Sequence, residues 1–105
     1  MSTKPKFKPT GEYVNDNVRS KVWEIVVGGE VVGHIETSIR DLYMSRSNPG
    51  YSVTVIGTMV KDQGAKFYKN SNAFSNRSSQ EAHENRSEYV RRAKEWAVKY
   101  LEKHP

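Results

Sequence analysis

Residues 21–37 read KVWEIVVGGEVVGHIET, two runs rich in valine and isoleucine joined at Gly28-Gly29. Paired glycines between β-branched runs are a strong hairpin signal, because a tight antiparallel turn needs backbone at positive φ that glycine adopts freely. The length of the loop decides which side chains share a face. A two-residue loop sets Trp23 opposite His34 and Ile25 opposite Val32, so each face mixes polar and apolar groups. A three-residue loop closed by Gly29 instead places Trp23, Ile25, Val27, Val31 and Ile35 on one face, with Gly33 leaving space beside the indole. The three-residue loop is expected, since it yields one coherent apolar face. The opposite face then carries Val22, Glu24, Val26, Glu30, Val32, His34 and Glu36.

The partner for that apolar face lies at residues 78–105, SSQEAHENRSEYVRRAKEWAVKYLEKHP. Ser78 and Glu81 form a capping-box pattern, in which the serine oxygen accepts from the third backbone N–H and the carboxylate reaches back to the cap's own N–H. Tyr89, Ala93, Trp96, Ala97, Tyr100 and Leu101 then recur at helical spacing, while Arg91, Arg92, Lys94, Lys99 and Lys103 project elsewhere. Trp96, Tyr100 and Leu101 are expected to meet Trp23, Ile25 and Ile35. A helix from Ser79 to Lys103 would measure roughly 37 Å at 1.5 Å per residue, longer than the strands, so its first two turns are expected to overhang the sheet. Asn85, Arg86 and Ser87 are indifferent helix formers and mark where a break would fall.

Working outward, YSVTVIGTMV at 51–60 alternates as a half-buried strand, Lys61-Asp62-Gln63-Gly64 is a turn, and Ala65 to Lys69 returns as a further strand. Residues 37–50 allow either one helical turn capped by Thr37 or Ser38 or an extension of the preceding strand, ending in a turn at Asn48-Pro49-Gly50. NSNAFSNR is a polar connector, with Phe74 placed to pin it down. Residues 1–18 combine prolines, lysines and asparagines without apolar periodicity and are expected to form a flexible basic arm. The expected fold is therefore α+β: an antiparallel sheet of three to four strands in two hairpins, with one long C-terminal helix packed on one face, all within a single domain over 19–105.

Composition narrows the function classes. The chain has no cysteine, which excludes a disulfide framework, cysteine-ligated zinc and a thiol nucleophile. No stretch approaches the roughly 20 apolar residues of a membrane span and no signal-peptide pattern opens the chain, so a cytoplasmic, membrane-free protein is expected. The Asn76-Arg77-Ser78 and Asn85-Arg86-Ser87 tripeptides are then chance matches to the glycosylation pattern. The net charge of +5 is unevenly spread: residues 1–21 hold five basic and two acidic groups, 22–60 two and four, and 61–105 ten and six. Basic ends around an acidic middle fit a polyanionic partner.

No residue constellation names a reaction. His34, His83 and His104 fall on three different expected elements without metal-ligand spacing, and His34 is read as a cross-strand polar partner of Glu24 or Glu36. There is no nucleophile elbow, and Gly28-Gly29 joins two strands rather than opening a helix, so it is not a phosphate-binding loop. No enzyme activity, metal or cofactor is expected. The expected function is a small basic nucleic-acid-binding protein, of a kind that suits a phage or bacterial accessory factor, with phosphate contacts from Lys4, Lys6, Lys8, Lys66, Lys69, Arg77, Arg86, Arg91, Arg92 and Lys99. Phe67, Tyr68 and Phe74 lie near these positions and serve either the core edge or base stacking. Glu88, Glu95 and Glu102 are interleaved with the helix cations and divert part of that charge into local pairs. Two further readings stand beside this one. One is a protein-binding modulator docking through the outer face at Val22, Val26 and Val32 or through a strand edge, which includes weak homodimerisation. The other is a small hydrolase or nuclease using His34 or His83.

Three antiparallel strands followed by a packed helix resemble the double-stranded RNA-binding domain and the three-stranded DNA-binding domains of some integrases and plant regulators. The run Arg91-Arg92-Ala93-Lys94-Glu95-Trp96-Ala97-Val98-Lys99-Tyr100-Leu101 looks like the basic start of the final helix in the RNA-binding family. The resemblance covers one helix and one hairpin, lacks that family's amino-terminal helix, and carries no site residues across.

Overall fold

The hairpin at Gly28-Gly29 is the centre of a five-stranded antiparallel meander. In a computed structural model that describes residues 4–15, 17–42, 50–72 and 75–104, the order is β1 (Lys6–Asn15), β2 (Val18–Val27), β3 (Glu30–Asp41), β4 (Tyr51–Met59), β5 (Asp62–Ser71) and α1 (Ser79–Lys103). Each strand pairs with its neighbour in sequence. The α+β class and the C-terminal helix are as expected, and the sheet is wider than the expected three to four strands.

The extra strand is β1, which occupies most of the stretch expected to be a flexible arm. Lys6 to Pro9 alternate around Phe7, whose ring packs against the core, while Lys6 and Lys8 point to the other side. Pro9 would be excluded from an interior strand, but β1 is an edge, where one row of N–H groups needs no partner. A register shift between Pro9 and Gly11 then reverses the alternation, bringing Glu12 and Val14 to the helix side.

Two corrections concern the first hairpin. The loop has two residues, with Val27 paired to Glu30 and both glycines at positive φ, 59° and 84°. Yet Trp23 still faces Ile35, because a bulge between Ile25 and Val26 adds one residue on β3. The bulge does what a third loop residue was expected to do. It also exchanges two side chains: Val32, rather than Val31, joins the core side. Thr37 and Ser38 continue β3 instead of capping a helical turn; Tyr43 and the turn residues Asn48 and Pro49 lie outside the described residues.

Ile25, Ile35, Ile39, Val53, Val55 and Met59 form the sheet side of the core, and Ala82, Tyr89, Val90, Ala93 and Ala97 the helix side. The six sheet side chains and Val90, each worth roughly 1.5–3 kcal/mol when removed from water, supply most of what holds the two layers together. The alanines let α1 lie close to the sheet. Where the large Trp96 side chain comes down, Gly57 leaves room: a Cβ there would stand 2.7 Å from Trp96 Cζ3. Trp96 therefore lies against Gly57 and Phe67 on β4 and β5, not against Trp23 as expected.

Ser78 caps α1, its hydroxyl accepting from the Glu81 N–H at 3.1 Å. The returning carboxylate accepts from the N–H of Arg77 at 3.3 Å, one residue before the cap. The first turns do not overhang: Ala82 is fully buried, and Asn85 donates to Asn76. Nor does α1 break at Asn85–Ser87, because Asn85 and Arg86 have tertiary partners there. Asn76 itself is wholly buried, and its amide donates to the carbonyls of Tyr51 and Asn72 and the hydroxyl of Ser71. The connector is thus tied to β4, β5 and α1 at one point.

Candidate nucleic-acid interface

One face of the sheet carries α1, and among the described residues the other carries no layer. The register fixes its contents. A row across all five strands reads Lys8, Glu24, His34, Thr58 and Lys66, the next Gly11, Val22, Glu36, Ile56 and Tyr68, and a third Tyr13, Ser20, Ser38, Thr54 and Asn70. Lys6 lies beside Val26, and Arg40 lies between Val18 and Ser52. The cations Lys6, Lys8 and Lys66 sit on the two edge strands, and the carboxylates Glu24 and Glu36 on the interior strands β2 and β3.

Both edges also carry a tyrosine. Tyr13 on β1 is 61 % exposed and Tyr68 on β5 is 60 % exposed. The Tyr13 ring lies over Gly11, its hydroxyl oxygen 3.5 Å and its Cζ 3.7 Å from where a Cβ would stand. Gly11 has φ of 149°, a conformation that side chains rarely adopt. A glycine at the bulge therefore both permits the backbone turn and leaves a shelf for the ring.

The ten cations expected to contact phosphate divide into separate groups. Lys6, Lys8 and Lys66 share the open face, and Lys4 lies two residues before the start of β1. Lys69 is on the helix side, with its ammonium 5.7 Å from the Tyr89 ring centroid. Arg86 is largely buried, its side chain 13 % exposed and its Nη1 3.6 Å from Glu12 Oε1. Arg77 lies in the connector before α1. Arg91 and Arg92 are on the far surface of α1 and are ion-paired: Arg91 with Glu95 at 2.6 Å and with Glu88 at 3.8 Å, Arg92 with Glu88 at 3.3 Å. Lys99 is exposed on the same helix. Helix and open sheet face point in opposite directions, so these ten do not make one surface.

The aromatic alternatives also resolve. Phe67 is on the helix side at 6.2 Å from Trp96, Tyr68 is on the open face, and Phe74 lies outside the described residues. Of the outer-face valines, Val22 and Val26 are on the open side, with Val26 buried, and Val32 has moved to the core side. A second cationic–aromatic group, not anticipated from the sequence, lies along the flank of α1: Lys21 stands 5.0 Å from the Trp23 ring, and Lys94 stands 5.4 Å from Phe7 and 6.0 Å from Trp23.

His34 pairs in register with Glu24, as one expected arrangement has it. His83 bonds within its own helix, Nδ1 lying 2.7 Å from the Ser79 carbonyl oxygen. His104 stacks on Tyr100 at 4.4 Å. Beside it a cleft of about 280 Å³ is lined by Val27, Val32, Met59 and Leu101 below Asp62 and Tyr100. The Tyr100 hydroxyl holds the Asp62 carboxyl below its usual range, and the carboxylate in turn raises the phenol. Among the described residues no group of three or more His, Asp or Glu side chains is placed to hold a metal ion, and no helix is long and apolar enough to cross a membrane. Compared with protein families, curated proteins and solved structures, the chain has no significant match.

Proposed function

We propose that this is a small nucleic-acid-binding protein that engages phosphates through the uncovered face of its sheet. One observation carries the reading: Lys6, Lys8 and Lys66 flank that face from its two edges, whereas Arg91 and Arg92 on the helix are ion-paired with Glu88 and Glu95. Exposed lysines that meet phosphate release counterions, which makes the binding salt-dependent. Fluorescence anisotropy of a labelled oligonucleotide across a salt series tests it. Affinity is expected to fall as salt rises, and replacing Lys6, Lys8 and Lys66 together by alanine to lower the slope of log K against log salt by about two to three. Binding without salt dependence sinks the proposal.

A second reading, docking of a protein strand, is favoured at the β5 edge. The β1 edge is blunted by Pro9 and a bulge, whereas from Lys66 to Ser71 β5 pairs regularly with β4 and, among the described residues, has no strand on its far side. Sedimentation at rising protein concentration tests the self-association form of this reading.

A further inference from the structure

The open face sets its lysines on the edge strands and its carboxylates on interior strands, with Arg40 also inside, on β3. Each rim pairs a cation with an exposed aromatic ring: Lys8 and Tyr13 on β1, Lys66 and Tyr68 on β5. The floor between them holds Glu24 and Glu36 among Ser20, Ser38, Thr54 and Thr58, with Arg40 at the end beside Val18 and Ser52. From β1 to β5 is four strand spacings, about 19 Å.

We infer, building on the nucleic-acid reading above, that this face holds a single strand from rim to rim, with unpaired bases stacked on Tyr13 and Tyr68 and phosphates on the rim lysines. Each part of the pattern supports it. Tyrosines that are three-fifths exposed offer ring faces to bases, and a duplex keeps its bases inside its own stack, out of their reach. A duplex laid across the sheet would also bring phosphates over Glu24 and Glu36, where like charges repel. A single strand can keep its phosphates at the rims and turn its bases over the floor, where carboxylates and hydroxyls accept from base N–H groups. Gly11 keeps the Tyr13 ring laid over the sheet, already placed for stacking.

The test compares oligothymidylate with a duplex of equal length at one salt concentration, using the full chain and its Tyr13→Ala, Tyr68→Ala and Glu24→Gln/Glu36→Gln variants. The single strand is expected to bind at least about tenfold more tightly, and each tyrosine variant to weaken it by about tenfold while leaving duplex binding unchanged. The double glutamine variant is expected to tighten the duplex. Affinity should also rise steeply once the oligonucleotide is long enough to bridge both rims, within the range of about 4 to 16 nucleotides. Equal affinity for strand and duplex, or tyrosine variants that fold normally and bind normally, overturns the inference and leaves the phosphate reading standing. Binding of neither form at low salt overturns both.

Discussion

The Tyr100 hydroxyl donates to Asp62 Oδ2 at 2.7 Å, tying the last turn of α1 to the first residue of β5. The bond depends on a protonated phenol and an ionised carboxyl. Its pH window follows from the two shifts. Asp62 is lowered from its ordinary 3.8, so its contribution is present above that value and is lost as pH falls through the depressed one. Tyr100 is raised from 10.0, so its contribution is present below that value and is lost as pH rises through the raised one. Thermal melts of wild type and Tyr100→Phe should differ at neutral pH and converge at both extremes. A constant difference across the range would show that the bond does not carry the effect.

Gly57 is expected to be among the least replaceable residues of the sheet. An added Cβ meets Trp96 at 2.7 Å and 3.1 Å and Phe67 Cβ at 3.2 Å, and the indole cannot move without leaving the core. Gly57→Ala should destabilise by about 1–3 kcal/mol in urea unfolding, with a change in tryptophan emission.

Asn76→Ala removes a buried amide that bonds to Tyr51, Ser71 and Asn72 and accepts from Asn85. Leaving those partners unmatched is expected to cost about 1–3 kcal/mol. Amide exchange should accelerate first at Tyr51, whose N–H bonds to the Asn76 carbonyl. The same burial means that Asn76, within its glycosylation-like tripeptide, has no free amide in the folded chain.

The hairpin loop offers a cleaner substitution, because a Cβ on Gly28 or Gly29 meets nothing within 4 Å. Only backbone conformation is then at stake. Gly28→Asn should be nearly neutral, since asparagine tolerates positive φ, while Gly29→Val should cost about 1 kcal/mol or more. Equal losses for both would place the cost elsewhere than in φ.

Local rules made the helix legible: Ser78 and Glu81 marked its start, and the alanines and aromatics marked its buried face. They also paired Trp23 with Ile35, although through the wrong device, because a loop residue and a bulge have the same effect on side-chain parity. β1 was hidden by the two prolines and three lysines of residues 4–9, which look like a tail until Phe7 is given a core to enter. The interface was only partly legible. Cationic residues are visible in a sequence, but whether Lys66 and Arg91 share a surface depends on strand parity and helix placement, and these put them on opposite sides. Tyr13 carries no signal of its own while residues 1–18 read as a tail.

The meander places every strand beside its predecessor, so the sheet can zip up in order as the chain leaves the ribosome. Its cover arrives last. At about 5–20 residues per second, the 25 residues of α1 take roughly 1 to 5 s to synthesise, and for that time Ile25, Ile35, Val53 and Val55 have no second layer. A chain truncated before Ser79 would keep that apolar face uncovered and would be prone to stick to itself.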